Sequence, residues 1–146
     1  MNNNQVISIL NKLIEACSSG HEGFRNAAES TQNSEFRRLF NIFSQQRAQF
    51  VTELQAEVHR LGGNVDKRVD DRDKTVPFKN SRMERKVLRD EATVIAECQR
   101  EEEIAVSGYQ VALKADLPLD VQYVVKRQYM DIKDAYDRIR ILQRAA

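Results

Sequence analysis

The chain has 146 residues, with 23 basic and 22 acidic side chains interspersed to a net charge of +1, so it projects no strong field toward nucleic acid or an anionic membrane. Nothing in it approaches the ~20 apolar residues of a membrane span, and Met1-Asn2-Asn3-Asn4-Gln5-Val6 lacks a basic leader and an apolar run, so a cytoplasmic protein is expected. No Trp, two prolines and five glycines favour helices, and the length suits one domain, residues 1–146, able to bury roughly two-thirds of its unfolded surface.

The first predicted helix runs from about Asn4 to Glu29. Val6, Leu10, Leu13, Cys17, Phe24 and Ala27 recur at the three-and-four spacing of one buried stripe, interrupted at Gly20. Ser30-Thr31-Gln32-Asn33-Ser34 is a turn rich in capping side chains. The second helix, about Glu35 to Leu61, carries Phe36, Phe40, Phe43, Phe50, Leu54, Val58 and Leu61. Gly62-Gly63 ends it, because glycine readily adopts the left-handed conformation just past a helix.

Asn64 to Asn80 is polar and aperiodic, with Asp66-Lys67-Arg68-Val69-Asp70-Asp71-Arg72-Asp73 at its centre, and reads as a solvated connection. Ser81-Arg82-Met83-Glu84 has the pattern of a capping box and opens the third helix, which continues through Glu91, Val94, Cys98, Ala105, Tyr109 and Ala112. Asp116-Leu117-Pro118 breaks it. The fourth helix follows to about Leu142 along Val121, Val124, Ile132, Ala135, Ile139 and Leu142, with Pro118 suited to its first turn.

Part of this pattern occurs twice. Leu13-Ile14-Glu15-Ala16-Cys17 followed by Glu22 has an echo 81 residues later in Val94-Ile95-Ala96-Glu97-Cys98 followed by Glu103, and the same shift carries Phe40, Leu54 and Val58 onto Val121, Ala135 and Ile139. A constant offset over two separated segments implies two related helical hairpins. With connections that are short, long and short, the predicted fold is all-α: a ferritin-like four-helix bundle of two hairpins, 4–61 and 82–142, joined by a long crossover over 62–81. A helix of ~25 residues is about 38 Å long, a distance that the crossover can span.

Four interior positions are not apolar. Arg47 lies between Phe43 and Phe50, and Gln128 lies 81 residues further on between Val124 and Ile132. The first helix has its gap at Gly20 or His21 and the third at Glu101 or Glu102, again 81 apart. A buried arginine must be paired, so Arg47 is expected to meet Glu102 or Glu101, with Gln128 and Glu22 or His21 completing the layer. The bland alternative is an Arg47 whose guanidinium bends out to water along its aliphatic stem. Cys17 and Cys98 match no zinc spacing and lie on apolar faces, where free cysteine behaves as a small, inert hydrophobe; the alternative is a redox or metal role at their shared repeat position.

At this layer di-metal bundle proteins converge carboxylates and Glu-x-x-His motifs. The chain contains no Glu-x-x-His; its only histidines are His21 and His59, and His59 lies off the stripe. An arginine at the centre would repel metals. What remains is Glu22, Glu102, Glu103 and Asp131, with Tyr109 one heptad after Glu102. No catalytic, cofactor-binding or metal-binding residue is assigned.

Gly20 to Arg25, Gln46-Arg47-Ala48-Gln49-Phe50, Glu53 to Val58, Leu61-Gly62-Gly63, Glu97-Cys98-Gln99-Arg100, Ala115-Asp116-Leu117-Pro118, Arg127-Gln128-Tyr129 and Asp137 to Arg140 are together recognisable. With Leu13 to Cys17, they resemble a bacterial ferritin-like four-helix-bundle family of unknown function, distantly related to rubrerythrins. The resemblance covers both hairpins but not Asn64 to Asp90, and it implies the crossover bundle without any established activity. His21 stands where that family tends to have an acid, and Tyr136 where it often has histidine.

The expected function is that of a non-catalytic, cytoplasmic, stress-associated bundle acting by self-association or protein interaction. It shows no nucleophile beside a base, no phosphate-binding glycine loop and no complete ligand set. Val76, Phe78 or Tyr123 would serve a homodimer contact. The alternative is an iron-binding protein or oxidoreductase using Glu22, Glu102, Glu103 and Asp131 as oxygen ligands. Nucleic-acid binding is disfavoured because Lys and Arg are locally neutralised between Asp66 and Lys74.

Overall fold

The computed structural model describes residues 1–64 and 89–145, which form four helices: α1 (Asn3–Ser30), α2 (Ser34–Arg60), α3 (Glu91–Leu113) and α4 (Leu119–Ala145). Each helix start that shows a cap uses a short polar side chain. Asn2 Oδ1 accepts from Gln5 N at 2.9 Å while Gln5 Oε1 accepts from Asn2 N, a reciprocal box that satisfies two end donors. Asn33 Oδ1 accepts from Glu35 N and Phe36 N at 3.0 and 3.1 Å to start α2. The end of α2 follows the expected glycine logic: Gly62 has φ +84°, Gly62 N–H donates to His59 O, and Gly63 N–H donates to Val58 O.

α1 packs against α2 and α3, and α4 packs against α3 and α2, whereas the diagonal pairs do not touch through their backbones. The ends fix the directions. Gly63, just past α2, approaches Ile7 near the start of α1, while Arg89 N–H donates to Ser30 O (3.0 Å) at the opposite end. Residues 64 to 89 therefore connect opposite ends of the bundle, and α2 and α3 run parallel on its diagonal. Arg60 reaches Asp120 at 3.2 Å, which sets α4 antiparallel to α2. This is the expected all-α crossover bundle. No helix among the described residues is long and apolar enough to cross a membrane.

The predicted stripes of α1 and α2 are buried, except that Phe36 and Leu61 are only partly so. Two corrections concern the second hairpin. The capping box at Ser81 to Glu84 and the crossover over 65–81 lie outside the described residues, as do Val76 and Phe78. The helix expected to run unbroken from Ser81 is not continuous, because 89–90 are non-helical and α3 begins at Glu91. Asp90 caps it, its carboxylate accepting from Thr93 N at 3.3 Å. On α4 the inward residue is Val125, fully buried, and not Val124. With Val121, Gln128, Ile132, Ala135 and Ile139, Val125 completes an alternation of four and three that keeps the stripe facing the axis.

The apolar interior falls into two clusters. One, toward the Gly63 end, gathers Leu10, Ile14, Leu54, Val58, Val125 and Ile132; the other, toward the Ser30 end, gathers Phe24, Phe40, Phe43, Ile95 and Ile139. Phe24 packs against Phe40 and Phe43 with ring centroids 6.2 and 5.3 Å apart.

Two glycine substitutions should move stability in opposite directions. Gly62→Ala forces an L side chain into the left-handed region and should cost about 1 kcal/mol. Gly108→Ala, mid-helix with open space around its Cβ position, should gain about 0.5–1 kcal/mol. Urea midpoints of the two variants check the pair, and equal signs would contradict the α2 end described here.

Candidate functional site: a polar layer at mid-bundle

Between the two apolar clusters lies a layer of buried polar side chains. Arg47 on α2 is 1% exposed, and Glu102 on α3 and Gln128 on α4 are fully buried. Arg47 does not bend out to water. Its two terminal nitrogens donate to the two carboxylate oxygens of Glu102, Nη1 to Oε1 and Nη2 to Oε2, the second bond at 2.6 Å. This fork-to-fork geometry is the strongest form of the charge-assisted bond. Phe24 lies beneath the guanidinium, with its ring centroid 5.3 Å from Cζ. Burial would lower the Arg47 pKa, but the hydrogen bond and charge of Glu102 outweigh it and hold the group above its usual range.

Gly20 shapes the pocket. A Cβ there would sit 3.5 Å from Arg47 Cγ and Nη1, so a longer side chain would displace the guanidinium. The gap in the α1 stripe is thus the space that the arginine fills.

Contrary to the expectation that it completes the network around Arg47, Gln128 belongs to an adjoining chain of bonds. Its Oε1 accepts from Tyr109 Oη at 2.7 Å, and its Nε2 donates to Glu53 Oε1 at 2.8 Å and to Phe50 O at 3.4 Å. With the phenol proton committed to Gln128, the Cys17 thiol donates to Tyr109 Oη across 3.1 Å. At the outer end Arg127 Nη2 donates to the same Glu53 oxygen at 2.9 Å. A directional series therefore runs from a buried thiol to a half-exposed ion pair. Burial pushes the Cys17 thiol up to about 11 and Cys98 to about 12, and it raises the Tyr109 phenol well above 10.0. These groups are neutral and unreactive near neutral pH.

The other expected members sit elsewhere. His21 is half-buried and turns to α2: Ser44 Oγ donates to His21 O at 2.8 Å, so His21 Nδ1–H donates to Ser44 O and Oγ, both at 2.9 Å. Glu101 is half-buried beside Gly23 and does not meet Arg47. Glu22 is half-buried, Glu103 is exposed and accepts from Gln99 Nε2 at 3.3 Å, and Asp131 and His59 are exposed. The four carboxylates considered as oxygen ligands are not brought together. Among the described residues no three His, Cys, Asp or Glu side chains converge as a metal-binding group. The residues present at mid-bundle do not fit a metal pair: both oxygens of Glu102 are taken by a fixed cation, and the facing group is an amide.

Sequence reasoning missed three participants. Ser44 is a small polar residue directly after Phe43, and Glu53 lies beyond Phe50 on the flank of α2; only a partner on another helix gives either a role. The third is the thiol of Cys17, whose apolar setting was legible but whose hydrogen bond was not.

Residues 5–115 match the family model described as "Domain of unknown function (DUF2383)". The chain belongs to the DUF2383 family. No curated protein matches it. Among solved structures it is similar to a two-domain protein from Anabaena variabilis ATCC 29413 containing DJ-1/ThiJ/PfpI-like and ferritin-like domains, with a TM-score of 0.78 and 13% identity. That similarity covers 99% of this chain and 37% of the other, so this member of the DUF2383 family spans little more than a third of its neighbour's length. At this identity the likeness speaks to the fold, which is ferritin-like.

Removing one partner of the ion pair should be costly and removing both should not. Glu102→Ala strands a buried guanidinium and should cost about 3–5 kcal/mol, whereas Arg47→Met with Glu102→Leu should restore most of that loss. Chemical denaturation of the three proteins checks this. A second expectation concerns alkaline pH. The folded state keeps thiol protons that the unfolded chain releases near 9.0, so the stability they contribute is intact below pH 9 and declines as pH rises through about 11 for Cys17 and about 12 for Cys98. Midpoints measured from pH 8 to 11 should fall less steeply in Cys98→Ala than in the wild type.

Proposed function

We propose that this DUF2383 member is a non-catalytic, cytoplasmic, stress-associated bundle that works by self-association or by contact with another protein. One observation carries the reading: the mid-bundle position where this architecture elsewhere mounts metal-ligating side chains is filled by the Arg47–Glu102 pair. A guanidinium bonded to both oxygens of the central carboxylate supplies the positive charge internally. The neighbouring Cys17 and Tyr109 are buried, neutral and bonded to one another, which also argues against nucleophilic or redox work in this layer. The occurrence of a ferritin-like domain beside a second domain in the Anabaena protein supports a modular role.

Protein purified without chelators should carry well below one iron per chain, and anaerobic Fe(II) titration should reveal no saturable site dependent on Glu102 or Asp131. Stoichiometric iron that disappears in Glu102→Gln or Asp131→Asn would overturn the reading.

A further inference from the structure

The outer face of α4 carries a row of apolar side chains with no role in the bundle. Leu119 is 84% exposed, Tyr123 69%, Met130 66% and Ile141 62%. At about 100° per residue these four fall within an arc of roughly 40°, directly opposite the inward stripe of Val121, Val125, Gln128, Ile132, Ala135 and Ile139. Scattered surface hydrophobes are ordinary, but four on one line of one helix form a seam.

The seam has a twofold pattern. Leu119 and Ile141 each lie eleven residues from Met130, on either side of it, and Tyr123 and Asp137 each lie seven. An antiparallel copy of α4 centred on Met130 therefore places Leu119 against Ile141 of the second copy, Tyr123 against Asp137, and Met130 against itself. In an antiparallel pair each flank meets its own counterpart. One flank carries Asp120, Arg127, Asp134 and Arg138, so Arg127 faces Asp134 across the dyad and Asp120 faces Arg138, each twice. The other flank carries Lys126, Lys133, Arg140 and Arg144, with Asp137 at its inner edge; Lys126 faces Lys133 of the second copy, each twice, and Asp137, which holds Lys133 at 3.2 Å and stands within one turn of the second copy's Lys126, offsets that repulsion.

We propose that the protein forms a twofold dimer through this face, α4 antiparallel to α4 of a second copy with Met130 on the dyad. The inference rests on the self-association reading above and names its surface. A closed twofold contact buries the same patch on both copies, here an apolar seam bordered on one flank by pairs of opposite charge. The seam from Leu119 to Ile141 is about 33 Å long, and one helix against one helix covers less than the ~800 Å² per partner of a standard complex. The dimer is accordingly weak and concentration-dependent.

Sedimentation of the full chain over concentration is expected to show a monomer–dimer equilibrium. Met130→Lys sets two like charges on the dyad and should raise the Kd at least about tenfold with the circular dichroism unchanged, because the side chain is exposed. Met130→Cys should cross-link to a covalent dimer under mild oxidation at pH 8, whereas Ile104→Cys, equally exposed on α3, should not; the native thiols are buried. Self-association that ignores Met130→Lys and gives no cross-link at this position would overturn the α4 dyad and leave the broader reading standing. A chain that stays monomeric at several hundred micromolar would overturn the α4 dyad and the self-association arm of that reading together.

Discussion

The buried pair between Arg47 and Glu102 is the constraint around which the bundle is organised. It joins α2 to α3, the diagonal helices whose backbones do not touch, and so acts as a strut through the centre of the molecule. An ion pair in an apolar interior gains little net stability, because desolvation offsets most of the attraction. Its larger effect is on alignment. Sliding one hairpin against the other by a single turn, about 5.4 Å, would leave both charges unpaired among aromatic and aliphatic side chains. Apolar contacts on either side of the layer carry no charge to strand, whereas the ion pair has a single register in which both charges are satisfied.

The surrounding polar groups follow from that requirement. Gly20 gives the guanidinium room, Phe24 lies beneath it, and Tyr109 and Cys17 contribute neutral dipoles to a site that holds two charges. Gln128, 81 residues after Arg47 and equally buried, solves a different problem. Its amide links the Tyr109 hydroxyl to Glu53, and Glu53 meets Arg127 near the surface. One half of the layer is closed on itself and the other is graded toward water.

The same layer occupies the mid-height of a ferritin-like frame. Metal centres in four-helix bundles depend on several carboxylates and imidazoles converging at mid-height. Here the fully buried carboxylate, Glu102, is neutralised by an arginine from the diagonal helix, and Glu53 at the edge of the layer is held by Gln128 and Arg127. The acidic residues near it in sequence, Glu101 and Glu103, point to the α1 side and to solvent because one residue along a helix turns a side chain by about 100°. On the outside of the bundle, α4 turns four apolar side chains to water.

The amino-acid sequence alone determined the four helices, the turn at Asn33, the end at Gly62 and the inward faces of α1 and α2, because the period of apolar residues and the chemistry of Asn33 and Gly62 are local properties. It also required a partner for Arg47, since a lone charge on an apolar stripe cannot be buried. Tertiary structure decided the rest: Glu102 over Glu101, Val125 over Val124, and the joining of Gln128 to Tyr109 and Glu53. The reason is geometric. Periodicity sets rotation about a helix axis only to within about one residue, and it carries no information on axial register between helices. The distances that made a site of Arg47, Glu102, Tyr109 and Cys17 exist only once the two hairpins have docked.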